Sequence, residues 1–116
     1  MAASRVLSGE GVGQMVASVA SGREIALDGR LDVRSVSDVR AALYAAIDAG
    51  TGDLVVDVSG VETIDATGLG MLLGADRRAK LAGRRVVLHD AGPRVIRLLR
   101  ATRLHRVLTV DEPVPA

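Results

Sequence analysis

Residues 65–70, Asp65-Ala66-Thr67-Gly68-Leu69-Gly70, gather a carboxylate, a hydroxyl and two glycines just ahead of an apolar stripe at helical spacing. Thr67 sits where an N-cap hydroxyl belongs, and a helix N-terminus behind it offers free N–H groups and partial positive charge. Gly68 and Gly70 would let another backbone or an anion come close. Thr67 thus has two readings: an N-cap, or a phosphoacceptor whose added dianion would meet the helix dipole and repel Asp65. The run Gly68-x-Gly70-x-x-x-Gly74 misses the dinucleotide fingerprint, because the third glycine belongs at position 73 and Leu73 stands there. Asp57 and Asp65 each follow a short strand-like run. They could face one sheet edge as a carboxylate pair, although capping turns and helix starts is the plainer role. His89 and His105 are far apart and not at ligand spacing, and cysteine is absent, so no metal site and no cofactor is expected. Nor is there a G-x-S-x-G elbow for a serine nucleophile.

The apolar pattern supplies the elements that must position these residues. Residues 1–13 are small, polar and aperiodic and read as a mobile lead-in. Residues 15–19 and Glu24-Ile25-Ala26-Leu27 read as two short strands joined by the Ser21-Gly22 turn, a hairpin at one edge. Gly29-Arg30-Leu31-Asp32 leaves the second strand as a loop. Val36, Val39, Leu43 and Ile47 make one stripe of a first helix, starting near Ser35 or Ser37 and stopping before Gly50. Leu54-Val55-Val56 and Val86-Val87-Leu88 read as strands buried on both faces, with a short extended piece at residues 61–64. A second helix runs from about Thr67 or Gly68 to Leu81, and Gly83 ends it. Gly92-Pro93 opens a third helix with Val95, Leu98 and Leu99 inward. Residues 107–110 make a last strand. The order β-β-α-β-α-β-α-β predicts a single layered α/β domain over residues 14–110, with a mixed, mostly parallel sheet of about five strands. Residues 111–116 are left as a tail.

The chain has 116 residues, 48% hydrophobic and 25% charged, which suits one globular domain. No apolar run approaches the ~18 residues of a membrane span, and no leader-like apolar region opens the chain. A cytoplasmic protein without membrane insertion is the expectation. Tyr44 is the only aromatic residue, so no stacking platform for single strands exists. The net charge of +1 hides an asymmetry: residues 77–106 carry nine Arg, one Lys and one Asp, a net of +9, whereas residues 1–76 carry a net of −6. An acidic partner for the basic half, or a solvated arginine-rich surface, would each account for it. Val95, Leu98 and Leu99 turn Arg94, Arg97 and Arg100 to solvent, and no sequence-specific nucleic-acid binding is expected.

Three segments together resemble the STAS domain, and within it the bacterial anti-sigma factor antagonists: Gly29-Arg30-Leu31-Asp32, Leu54-Val55-Val56-Asp57-Val58-Ser59-Gly60-Val61, and Ile64-Asp65-Ala66-Thr67-Gly68-Leu69-Gly70. Residues 83–88, the Pro93 helix and Thr102-Arg103-Leu104 follow the same order. The resemblance implies a binding protein rather than an enzyme. Its partner would be an anti-sigma factor that is also a serine kinase, and docking would release a sigma factor. The chain itself would be a monomer or a weak homodimer. The implied docking surface comprises Asp32 and Asp65, Ala66, Thr67, Gly68 and Gly70. The family's phosphoacceptor position is Ala66, which has no hydroxyl, and Thr67 matches the motif's second hydroxyl residue. The resemblance also allows an accessory STAS subunit of a transporter, of lipid ABC type, or of a signalling complex. Either Thr67 has taken over as phosphoacceptor, or the chain binds its partner without a phosphate switch. A Thr67 hydroxyl turned to the first-turn N–H groups would be shielded from a kinase, so a persistently binding-competent antagonist is the expectation. Gly68→Arg should block a partner with little loss of fold.

Overall fold

Six strands form one sheet in the unreversed order β1-β2-β3-β4-β5-β6. They are β1 (Ser4–Leu7), β2 (Val16–Ala20), β3 (Glu24–Leu31), β4 (Asp53–Ile64), β5 (Arg85–His89) and β6 (Thr109–Asp111). The computed structural model describes residues 4–7, 16–20 and 22–111, and side chains from residue 22 onward. Three helices connect the later strands: α1 (Val36–Asp48), α2 (Ala66–Leu81) and α3 (Pro93–Ala101), the last followed by a 3-10 turn at Leu104–Arg106. β1–β2 and β2–β3 pair antiparallel, and β3–β4, β4–β5 and β5–β6 pair parallel. The α/β class and the mostly parallel sheet are as the sequence pattern predicts.

Several boundaries differ. β1 falls inside the segment read as a lead-in, so the strands number six rather than about five. The rest of residues 1–15 and residues 112–116 lie outside the described residues. β3 does not end at Leu27; it runs through Gly29 and Arg30 to Leu31, with irregular register at Ala26/Asp28 and Gly29/Arg30. Ile25, Leu27 and Leu31 keep period-two burial; Gly29 has no side chain to mark that face, and Asp28-Gly29 is a turn signal in the sequence. β4 absorbs the separate piece at residues 61–64, crossing Gly60, where a Cβ would fall on the Asp28 carboxylate. The last strand begins later than expected because residues 104–106 wind into the 3-10 turn.

Burial alternates along β4: Leu54, Val56 and Val58 are buried, while Val55 and Asp57 are only half-buried. That strand is therefore covered fully on one face, not on both. Ile25, Leu27, Leu54, Val56, Val86 and Leu88 share one core cluster with Leu43 and Ile47 of α1, Leu69 and Leu72 of α2, and Val95 and Leu99 of α3. Helices over a single face are what right-handed crossovers require when strand order never reverses.

The arginine-rich half is not uniformly solvated. Arg84 is 4% exposed and spends its guanidinium on backbone carbonyls. Nη1 donates to the carbonyls of Ala46 (2.9 Å) and Ile47 (2.7 Å), Nη2 to Gly22 (2.6 Å) and Nε to Gly52 (2.9 Å). Two of these acceptors belong to the C-terminal turn of α1, where carbonyls lack helical partners and a cation is favoured. Gly22 and Gly50 must be glycine for this closure: Gly22 has φ +66°, and a Cβ on Gly50 would stand 2.6 Å from the Gly22 carbonyl oxygen. On the surface, Arg78 pairs with Asp48 at 2.7 Å and lies 4.5 Å over the Tyr44 ring, clasping α2 to α1. Arg85 pairs with Asp53, also at 2.7 Å.

Replacing Arg84 by Met should leave these carbonyls short of donors and cost about 3 kcal/mol, from the usual penalty for buried unpaired polar groups. Arg84→Lys keeps the charge but not the planar fork and should recover less than half of the loss. Urea unfolding with an unchanged m-value checks both.

Candidate functional site

β3 and β4 run parallel in register to their ends, with Leu31 opposite Ile64. The next residues, Asp32 and Asp65, therefore leave the sheet side by side, and the Asp65 N–H donates to the Leu31 carbonyl at 3.2 Å. The two segments picked from sequence meet here, at the edge where α1 and α2 begin.

Asp32 forms a tight turn. Its Oδ1 accepts from the Arg34 N–H at 2.9 Å, and its carbonyl accepts from Ser35 and Val36, starting α1. Ser35 occupies the N-cap position of α1 but makes no side-chain cap. Its buried Oγ instead donates to the Arg30 carbonyl (2.8 Å) and accepts from the Asp32 N–H (3.1 Å), fixing the turn to the end of β3. Val33, at the tip of this turn, is 68% exposed. Sequence reasoning passed over it, since a lone valine in a loop carries no periodic signal.

Asp65, not Thr67, caps α2. Its backbone is extended (φ −109°, ψ −177°), and Oδ1 accepts from the Gly68 N–H at 2.9 Å. A carboxylate here satisfies an orphan donor and complements the helix dipole, so the earlier residue takes the cap. Ala66 and Thr67 consequently lie in the first turn, both exposed. The expected shielding of the Thr67 hydroxyl by the cap geometry is thereby removed.

The two glycines separate in role. Gly68 is buried, and a Cβ there would stand 2.6 Å from the Leu31 carbonyl oxygen and 2.8 Å from its Cγ. The backbone it admits is that of β3, in the same chain, and Gly68→Arg would damage the fold rather than spare it. Gly70 is exposed with nothing within 4 Å of a Cβ position. Asp65, Ala66, Thr67 and Gly70 thus form an exposed patch, with half-buried Asp32 and exposed Val33 beside it at the paired strand ends; Gly68 supports it from beneath.

The patch holds no nucleophile–base pair. Asp57 is paired in register with His89, in the body of β4, and residues 58–64 separate it from Asp65, so the two carboxylates do not form a pair. His89 Nδ1 lies 3.1 Å from Asp111 Oδ2 on β6. The hydrogen bond to Asp111 raises the His89 pKa above its ordinary value, with smaller help from the charges of Asp57 and Asp90. His105 Nδ1 lies 3.4 Å from the Leu99 carbonyl. Among the described residues no group of three or more His, Cys, Asp or Glu could hold a metal ion, and no helix is long and apolar enough to cross a membrane. The unreversed strand order also lacks the switch point at which doubly wound sheets bind dinucleotides.

Residues 15–110 match the family model described as "Mlab, STAS domain". The chain belongs to the STAS domain family. Within it, the chain is 28% identical over 89 residues to the anti-sigma-B factor antagonist of Staphylococcus aureus, covering 77% of this chain and 82% of that protein. Its fold is similar to that of the anti-sigma factor antagonist SpoIIAA of Bacillus in the unphosphorylated form, with a TM-score of 0.65 at 19% identity, covering 86% and 89% of the two chains. It is also similar to a sulfate transporter family protein from Wolinella succinogenes, with a TM-score of 0.64 at 19% identity over 81% and 80%.

Gly68→Ala should destabilise the protein by about 1–3 kcal/mol, the range for overpacking, and Gly70→Ala should stabilise it by about 0.5–1 kcal/mol, the helix preference for alanine. Paired denaturant curves check the contrast. His89 should titrate above ~6.5 and return to the ordinary range in Asp111→Asn, read by histidine ring NMR. A raised folded pKa means the pair's contribution is full below the unfolded pKa and fades as pH rises through the folded one. The stability gap between native chain and Asp111→Asn should therefore narrow from mildly acidic to alkaline pH.

Proposed function

We propose that the chain is a non-enzymatic binding module, an anti-sigma factor antagonist that docks on an anti-sigma factor of the serine kinase type and so frees a sigma factor. The observation that carries the reading is the exposed patch at the paired ends of β3 and β4. There Ala66, Thr67 and Gly70 are exposed, and Gly70 has no packing partner for a side chain to replace. A small, flat helix start flanked by the Asp32 turn and Val33 suits close approach by a partner backbone. The antagonists to which the chain is similar support the nature of that partner.

Control passes through Thr67 on this reading, because Ala66 has no acceptor oxygen. A phosphate on the exposed Thr67 would put a dianion beside the Asp65 carboxylate and would repel an acidic or closely packed partner. A second reading, an accessory subunit of a transporter or signalling assembly, draws on the Mlab description of the matching family model and on the transporter-family structure. There the same helix start would dock on the ATPase.

Gly70→Arg should not lower the unfolding transition, since arginine is also a better helix former than glycine, and should weaken partner binding at least tenfold in a calorimetric titration. Unchanged binding would remove the patch from the interface. Incubation with the cognate kinase and ATP, read by intact mass, should add one phosphate to the native chain and none to Thr67→Ala. Phosphate on Ala66→Ser alone would make the native chain a persistently competent antagonist. Offering an anti-sigma kinase and a transporter ATPase in the same titration separates the two readings.

A further inference from the structure

The basic half sorts into two groups by what its cations meet. On α2 and β5, Arg78, Lys80 and Arg85 are paired with Asp48, Asp76 and Asp53, and Arg84 is consumed by carbonyls. Beyond them, the exposed Arg94, Arg97, Arg103 and Arg106 have no carboxylate partner among the described residues. Exposed Arg77 apart, the acidic residues of the first half thus pair the cations of α2 and β5, whereas none of the described carboxylates pairs Arg94 or Arg97 on the α3 side.

That side is also hollowed. Arg94, Arg97, Leu98 and Ala101 line a shallow groove of about 400 Å³ along α3. The same two arginines rim a neighbouring hollow, also of about 400 Å³, with Val61, Glu62 and Pro93. Residues 94, 97, 98 and 101 form one stripe of the helix, about 10 Å long at 1.5 Å per residue. Arg94 stands in the first turn, at the positive end of the helix dipole, where a cation is disfavoured. Helix stability does not account for its position.

We propose that this face of α3 is a docking surface for an acidic amphipathic helix of a partner protein, its carboxylates on Arg94 and Arg97 and its apolar side chains over Leu98 and Val61. Guanidinium forks match carboxylates in two-pronged hydrogen bonds, and a stripe of this length meets about two turns of a facing helix. Glu62 at the rim opposes phosphate and carboxylate alike, so it directs a partner's acidic side chains to Arg94 and Arg97 and leaves the Val61 end to apolar ones. A phosphate backbone has no apolar side chains to place over Leu98 and Val61, and the sole aromatic, Tyr44, is covered by Arg78, which removes a stacking platform for single strands. A lipid surface needs several exposed apolar anchors beside the cations; among the described residues only Val107, next to Arg106, is a large exposed apolar residue near them, and none is on α3 itself. The proposal stands apart from docking at the start of α2.

The test uses the full chain labelled with nitrogen-15 at about 150 mM salt. The probe is a helical peptide of about fourteen residues with Leu and Glu at helical spacing. A control peptide replaces every Glu by Gln, and duplex DNA and phosphatidylglycerol vesicles are offered separately. The acidic peptide should shift amides at residues 61–62 and 93–101, and the Gln peptide should not. The double variant Arg94→Glu, Arg97→Glu, whose changes are on exposed side chains and whose fold the same spectrum verifies, should weaken binding at least tenfold. Gly70→Arg should bind the peptide as the native chain does, so failure of the α2 reading would not disguise failure here. No shifts, shifts centred elsewhere, full binding by the double variant, or tighter binding of this face to DNA or vesicles would overturn the proposal.

Discussion

A single buried guanidinium ties together three backbone segments, all far from it along the chain. Arg84 joins the β2–β3 turn at Gly22, the last turn of α1 at Ala46 and Ile47, and the loop before β4 at Gly52. It is buried without a carboxylate, which would be costly for an isolated cation. The offset comes from carbonyl dipoles, two of them at the negative end of a helix. Carbonyls at a helix end cannot be satisfied by the helix itself, so the cation and the helix end each supply what the other lacks. With the loop fixed at Gly52, β4 enters the sheet beside β3 with Glu24 opposite Val55, and two register shifts follow before the strands end.

Register then determines the far end of the same two strands. Since Leu31 lies opposite Ile64, the two segments that follow emerge together. Gly68 lets the first turn of α2 sit against the Leu31 backbone, and Asp65 closes that turn. Buried Gly68 and Leu69 thus sit between exposed residues 65–67 and exposed Gly70 within one short motif. The patch combines exposed small side chains, a hydroxyl and two carboxylates engaged by backbone N–H groups.

The helices and the order of strands were legible because they rest on local periodicity, and the meeting of Asp32 with Asp65 followed from parallel strands ending together. What was not legible depended on distance or on competition. Arg84 looked like any arginine of a basic run, since its partners lie 32 to 62 residues away. Asp65 and Thr67 are both good caps by type, and only the backbone geometry decides between them. Gly68 and Gly70 are identical letters two positions apart, and helical rotation alone sends one to the core and the other to solvent. The reach of β3 beyond Leu27 was not legible, although Ile25, Leu27 and Leu31 keep one buried parity, because Gly29 leaves that face without a side chain and Asp28-Gly29 carries turn chemistry.

The clasp between Tyr44 and Arg78 has an optical consequence. The chain has no tryptophan and no phenylalanine, so its one tyrosine supplies all of its aromatic absorption and emission. That ring lies beneath a guanidinium at the α1–α2 contact, with Gly74 of α2 leaving room for its hydroxyl. Near-ultraviolet dichroism and intrinsic fluorescence therefore report on a single interhelical contact, while far-ultraviolet dichroism reports on the backbone throughout. A difference between the two melting curves would identify α1 parting from α2 before the sheet gives way, without any label being added.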